Sequence, residues 1–184
     1  MRYPAEQTAA RHERILREAA KLFRERGLNG VSVPEIMKAA RLTHGPFYNH
    51  FASKDALVAE SIDRAMGATL EDLLEVKDTK AGRRRYLDAY LSPQHRDNPG
   101  DGCVMASLAG DVIRSPAAKA PFTRRLKEIL SATTAKFTAA REGRDARQEA
   151  IKLVSLIVGA LVLSRAVDDE ALSEEILAQA RADL

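Results

Sequence analysis

Thr43, His44, Tyr48, Asn49 and His50 crowd into one short stretch, and Lys54 follows four residues on. Hydroxyl, amide, imidazole and ammonium groups of this kind hydrogen-bond base edges and phosphate oxygens. Gly45 and Pro46 trim the surface between them, so that the backbone can approach a partner closely. A metal reading of His44 and His50 needs further ligands at suitable spacing, and the neighbourhood offers none. Catalysis needs a nucleophile beside a base or a pair of carboxylates, and none is evident along the chain. His95 has no evident partner, and Asp168-Asp169-Glu170 reads as a helix-start run. Each polar residue has a plainer reading: Tyr48 as a partly buried core aromatic, His44, His50 and Lys54 as solvated surface groups. Their joint occurrence on one short segment favours contact with nucleic acid.

The flanking elements must position that segment. Ile15, Leu16, Ala19, Leu22 and Phe23 form the apolar stripe of a helix over roughly Thr8 to Arg26, with Gly27 as its stop. Ser32-Val33-Pro34-Glu35 fits a capping box, with Pro34 in the first turn where its missing N–H costs nothing. A short helix then runs to about Ala40. Arg41-Leu42 makes a tight turn, Thr43 caps the next short helix, and Pro46 stays within its tolerated first turn. Phe47 and Phe51 are four apart and share the face that can anchor this helix on Leu22 and Phe23. Ser53 caps a long helix to about Val76, whose first N–H groups make a phosphate seat. Two short helices joined by a three- to four-residue turn describe a helix-turn-helix, whose second helix enters the DNA major groove.

The segment from Ile15 to Leu57 resembles the DNA-binding domain of TetR/AcrR-family transcriptional regulators. The landmarks are Ala19, Leu22, Phe23 and Gly27, then Ser32 and Ile36, and most specifically Gly45-x-Phe47-Tyr48-x-His50-Phe51-x-Ser53-Lys54-x-x-Leu57. The resemblance implies a homodimer, usually a repressor, that binds a near-palindromic double-stranded operator and releases it when a small molecule occupies the C-terminal domain. Val33, Thr43, His44, Gly45 and Asn49 then match positions at or near bases, and Ser32, Tyr48, His50 and Lys54 match phosphate-contacting positions. Two residues depart from the family pattern. Arg41 stands where glycine is usual, so either it holds a positive φ at some cost or the turn differs. Pro46 stands where a small hydroxyl residue is common, which removes one hydrogen bond.

Beyond the head, helical periodicity continues and nothing reads as a run of strands. Helices are expected over Lys80 to Leu91, Cys103 to Arg114, and Ser115 to about Arg141 with an offset or kink at Pro121. Ser92 to Gly102 reads as a loop rich in proline, glycine and aspartate. Asp145 and Gln148 fit a second capping box, opening a helix to about Val167, and a last helix covers roughly Glu170 to Arg181. The fold class is therefore all-α with about nine helices: residues 1–54 as a three-helix DNA-binding domain and 55–184 as a helical effector-binding and dimerisation domain.

The helix around Leu153 to Leu163 is apolar on more than one face, which suits either a dimer surface or a helix buried inside the subunit. Val154, Val158, Leu161, Val162 and Ile176 are the candidates for contact with a second copy. Tyr86, Tyr90, Cys103, Met105, Leu108, Val112, Phe122, Leu126, Ile129 and Phe137 are the candidates to line an effector cavity, with plain core as the alternative for most. No charged cluster marks the effector, which points to a largely apolar one. Cys103, the one cysteine, follows Gly100-Asp101-Gly102 at an expected helix start. There it is either a thiol whose modification releases DNA or a small core filler.

Composition sets outer limits. Hydrophobic content of 45% and charged content of 30% suit a globular protein with a proper core. Residues 1–54 hold ten Lys/Arg against five Glu, while the remaining 130 residues carry 19 Lys/Arg against 21 Asp/Glu. A basic head on a slightly acidic body is the asymmetry expected of a nucleic-acid binder. The longest nearly apolar run, Leu153 to Ser164, is short of the roughly 20 residues that span a membrane. With no apolar leader at the N-terminus and no possible internal disulfide, a cytoplasmic location is the expectation, with no membrane, metal or cofactor partner.

Overall fold

The computed structural model describes residues 5–43, 45–138, 143–182 and 184. These residues form α1 (Ala5–Arg26), α2 (Val33–Ala39), a 3-10 helix (Gly45–Asn49), α3 (Lys54–Glu75), α4 (Lys80–Tyr90), α5 (Pro93–Asp97), a 3-10 turn (Pro99–Asp101), α6 (Val104–Val112), α7 (Pro116–Phe137), α8 (Gly143–Ala166) and α9 (Glu170–Ala182). Among the described residues there is no strand. α3 packs along α7, α7 along α8 and α8 along α9, while α1 lies against α3 and α6. One apolar core runs from Ile15, Phe23 and Phe47 in the head through Leu57, Ile62 and Met66 of α3 to Leu161 and Leu177 in the body.

Several helix boundaries follow from local chemistry. The capping box at Ser32 is present: the Glu35 N–H donates to the Ser32 hydroxyl at 3.4 Å, and Glu35 accepts the Ser32 N–H at 2.8 Å. Ser53 accepts from the Ala56 N–H at 3.1 Å and starts α3. Gly27 ends α1 at φ 78, and a Cβ there would lie 2.9 Å from the Asp111 carboxylate. Arg41 holds φ 55, so of the two readings of this turn the strained one is realised. Left-handed backbone costs a non-glycine residue roughly 1–2 kcal/mol.

Four expectations are corrected. The helix expected from Thr43 is a 3-10 helix that begins at Gly45, leaving Thr43 in the irregular turn before it. The regular element is only five residues long, the length at which 3-10 hydrogen bonding is ordinarily found. The segment Ser92 to Gly102 is not a plain loop: Ser92 caps α5, accepting from the His95 N–H at 3.2 Å, with Pro93 at the first helical position. α7 runs unbroken through Pro121, which is buried, and ends at Phe137. α8 starts at Gly143, so Asp145 sits in its first turn instead of capping it. The total of about nine helices stands, but α5 replaces the expected recognition α-helix in the count.

Candidate nucleic-acid interface and cavity

The 3-10 helix is held by its aromatic face. Phe47 and Phe51 are buried at 0% and 2% exposure, with ring centroids 5.7 Å apart. His12 of α1 stacks on Phe51 at 4.5 Å, and its Nε2 lies 2.9 Å from Glu60 of α3. With Phe47 and Phe51 turned in, Thr43, Gly45, Tyr48 and Asn49 face out. Thr43, Gly45 and Asn49 are exposed, Tyr48 is 68% exposed, and a Cβ on Gly45 would meet nothing within 4 Å. His50 is half-buried, and its pKa lies below the usual histidine value because of desolvation, then repulsion from His12 and Arg11. Lys54 is half-buried at the start of α3, and Ser32 is exposed at the start of α2. Val33 is half-buried against the core, so it turns less toward solvent than its neighbours. Seven of the ten expected interface residues thus lie on two helix starts and one short helix, with Thr43 and His50 on the flanks of that helix. His44 and the side chain of Pro46 lie outside what the structure describes.

The head is fastened to the body near the end of α1. Arg24 donates from Nε at 2.8 Å, and from Nη2, to the carbonyl of buried Gly100. Lys21 pairs with Asp101 at 3.6 Å, and the Leu28 N–H donates to Asp111 at 3.3 Å. The segment that carries Gly100 is itself pinned. His95 Nδ1 lies 2.6 Å from the Tyr90 carbonyl, and the Cys103 N–H donates to His95 Nε2 at 3.0 Å. The two bonds together require the neutral ring with its proton on Nδ1. Burial, the largest influence, and nearby Arg165 keep the His95 pKa below its ordinary value. Arg165 of α8 donates to the His95 carbonyl at 2.7 Å and to the Arg96 carbonyl at 2.9 Å. A Cβ on Gly102 would lie 2.8 Å from the His95 ring. Sequence reading missed this use of His95; the Ser92-Pro93 helix start was the one local signal for it.

A narrow cavity in the body has room for about one water as it stands. It brings together five expected lining residues: Tyr86, Tyr90, Met105, Ile129 and Phe137. Leu108, Val112 and Cys103 are buried core outside its lining, and Phe122 and Leu126 are half-buried against the core. Thr69, Leu73, Leu87, Thr133, Leu153, Val154 and Ile157 complete the wall. They escaped sequence reading because a core residue and a cavity residue share the same helical period. Val154 and Leu161, expected at a dimer face, are buried within the subunit; Val158 and Ile176 are half-buried and Val162 is exposed. The apolar residues open on α8 and α9 are Ile151, Leu156, Val162, Leu163 and Leu172. Cys103 is buried at the N-cap of α6, its side chain making no capping bond.

Together these features define an all-helical protein with an N-terminal helix-turn-helix and a helical body. The sequence profile of the bacterial regulatory proteins of the tetR family matches residues 15–61. The head, residues 15–61, is thus of the tetR family. It is 28% identical over 116 residues to the HTH-type transcriptional repressor DhaR of Mycobacterium sp. strain GP1, covering 56% of each chain. It is 30% identical over 139 residues to the HTH-type transcriptional regulator TcmR of Streptomyces glaucescens, covering 72% of this chain and 61% of that one. These matches span about half the length of DhaR and a third of that of YvdT of Bacillus subtilis. In fold, the chain is similar to the crystal structure of the reduced form of Escherichia coli NemR. The TM-score is 0.80 at 22% identity, covering 95% of this chain and 94% of that one. A TetR-family regulator from Agrobacterium tumefaciens gives 0.78 at 20% identity, with 96% and 98% covered. No helix among the described residues is long and apolar enough to cross a membrane.

Proposed function

We propose that this chain is a ligand-responsive transcriptional repressor of the cytoplasm, binding a near-palindromic duplex operator as a homodimer. The observation that carries the reading is the split of one short segment, residues 45–51: Phe47 and Phe51 inward, Gly45, Tyr48 and Asn49 outward. Such a segment has a fixed pose and a polar face to offer the major groove. In this reading Thr43, His44, Gly45, Pro46, Asn49 and Val33 stand at or near bases, while Ser32, Tyr48, His50 and Lys54 grip phosphates. Residues 1–54 form the DNA-binding domain and 55–184 the effector-binding and dimerisation domain. Two copies meet through the open apolar face of α8 and α9, where Gly159 has free space around it for close approach. Two heads are required because successive half-sites lie about 34–36 Å apart.

The effector is small and largely apolar and occupies the cavity between α3, α4, α6, α7 and α8. Its entry must spread a space that admits about one water; α3 and α6 in its wall pack on α1, and α4 reaches the head through His95. Movement of Tyr90 passes through His95 to the Cys103 amide and the Gly100 segment, and from there to Arg24 in α1. Modification of Cys103 is the second reading, favoured by its place inside that same chain of contacts. Selection of preferred sites from a random duplex pool tests the function. The expected result is one near-palindromic site, bound with a steep salt dependence that Lys54→Ala lowers by about one unit of slope. Equal binding to all duplexes overturns the proposal.

A further inference from the structure

Resting on the reading of the cavity as the effector site, we propose the chemical class of its occupant: an uncharged, mostly hydrocarbon ring compound carrying one acceptor oxygen for the Tyr90 hydroxyl. Three observations carry this. None of the lining residues is Asp, Glu, Lys, Arg or His, so an ionic ligand would enter without a countercharge. The wall on the α4 side is aromatic: Tyr86 stands 5.8 Å from Phe137 and 6.4 Å from Tyr90, ring to ring, which suits the face or edge of a flat ring. The third observation concerns hydrogen bonds left unmade. Among the described residues two buried side-chain oxygens lack a hydrogen-bond partner, Ser61 Oγ and Tyr90 Oη, and of these only Tyr90 lines the cavity.

The other threonine hydroxyls of the lining have spent their protons. Thr133 donates to the Ile129 carbonyl at 2.8 Å and Thr69 to the Ala65 carbonyl at 3.3 Å. The Tyr90 hydroxyl keeps its proton through the physiological range, because burial first, and then the nearby Cys103 thiol, push its ionisation far upward. The Cys103 thiol lies close enough to act on the Tyr90 hydroxyl, but sulfur is a weak acceptor and leaves that hydroxyl without a full hydrogen bond. A buried donor with no partner in the free protein is met by a ligand acceptor and by no competing bond. One neutral hydrogen bond so gained is worth about two- to twelvefold in affinity.

Acetophenone and α-methylstyrene differ only in an oxygen replaced by a methylene, so they isolate this bond. The full chain, labelled with 13C at its methionine methyls, is titrated with each probe while the Met105 signal in the cavity wall is followed. Both probes are expected to move Met105, acetophenone with a dissociation constant about two- to twelvefold lower. Tyr90→Phe should bring acetophenone to the level of α-methylstyrene and leave the latter unchanged. Equal affinities in the unaltered chain, or a preference that survives Tyr90→Phe, overturn the inference while leaving the cavity as an effector site. If neither probe moves Met105 up to its solubility limit, the cavity reading falls and this inference with it. The pair of titrations on the unaltered chain decides the matter even if the variant folds poorly.

Discussion

Around Phe47, the side chains of Ile15, Phe23, Ile36, Phe51 and Leu57 are all at 2% exposure or less. Around the cavity, Leu87, Tyr90, Met105 and Val154 retain 6–8%, and Tyr86, Phe137 and Leu153 are only half-buried. The two regions belong to one continuous core, but the second encloses a narrow cavity and part of its wall is less sealed from solvent. A fully packed head fixes the pose of the short helix, since close-packed side chains transmit a shape and do not yield. A body with unfilled space can change shape at low cost, which a binding wall requires. The segment between them, Ser92 to Gly102, is fastened on both sides by hydrogen bonds. Differential packing within one fold thus separates a surface that must stay fixed from a wall that must move.

Four substitutions sharpen or break that contrast. Phe47→Ala should be the most damaging, costing about 3–5 kcal/mol because the surrounding head has no slack to close the hole; urea unfolding measures it. A loss below about 1 kcal/mol would show that the head is as yielding as the body. Arg24→Ala comes next. It removes both donors from the Gly100 carbonyl and should cost about 1–3 kcal/mol, with a matching rise in backbone amide exchange over residues 98–103. Val154→Ile should go the other way, gaining about 0.5–1 kcal/mol by filling part of the cavity. A loss there as large as overpacking usually brings would mean that the body is as tight as the head.

The smallest effect is a slope. The His50 pKa is depressed in the folded chain, so the unfolded chain binds more protons near pH 6. Its contribution to stability is present above the ordinary histidine pKa of about 6.5 and is lost as pH falls through it. His50→Gln should therefore flatten the decline of stability between pH 7.5 and 5.5, as read by urea midpoints at each pH. An unchanged or steeper slope would place His50 in open solvent and remove it from the fixed surface of the head.

Much of the head was legible before any coordinates, because its signals are local. A Ser-x-x-Glu box, a serine before a long helix, a glycine after one and two phenylalanines four apart each act within a single turn of chain. Arg41 left two readings open, a positive φ or a different turn, and φ 55 realises the first. The body was legible only as helices. Its amphipathic pattern states that Leu108, Met105 and Val154 turn inward, but inward is one direction for a packed core, a cavity and a neighbouring subunit alike.

The sequence by itself determined the all-helical class, the caps at Ser32 and Ser53 and the polar content of the short helix, all set by contacts between residues close along the chain. Tertiary structure decided that this helix is 3-10, that Val154 and Leu161 serve the inside of the subunit, and that His95 joins Tyr90 to Cys103. The physical reason is that these outcomes depend on which helix meets which at what distance. No period along a single chain records that distance.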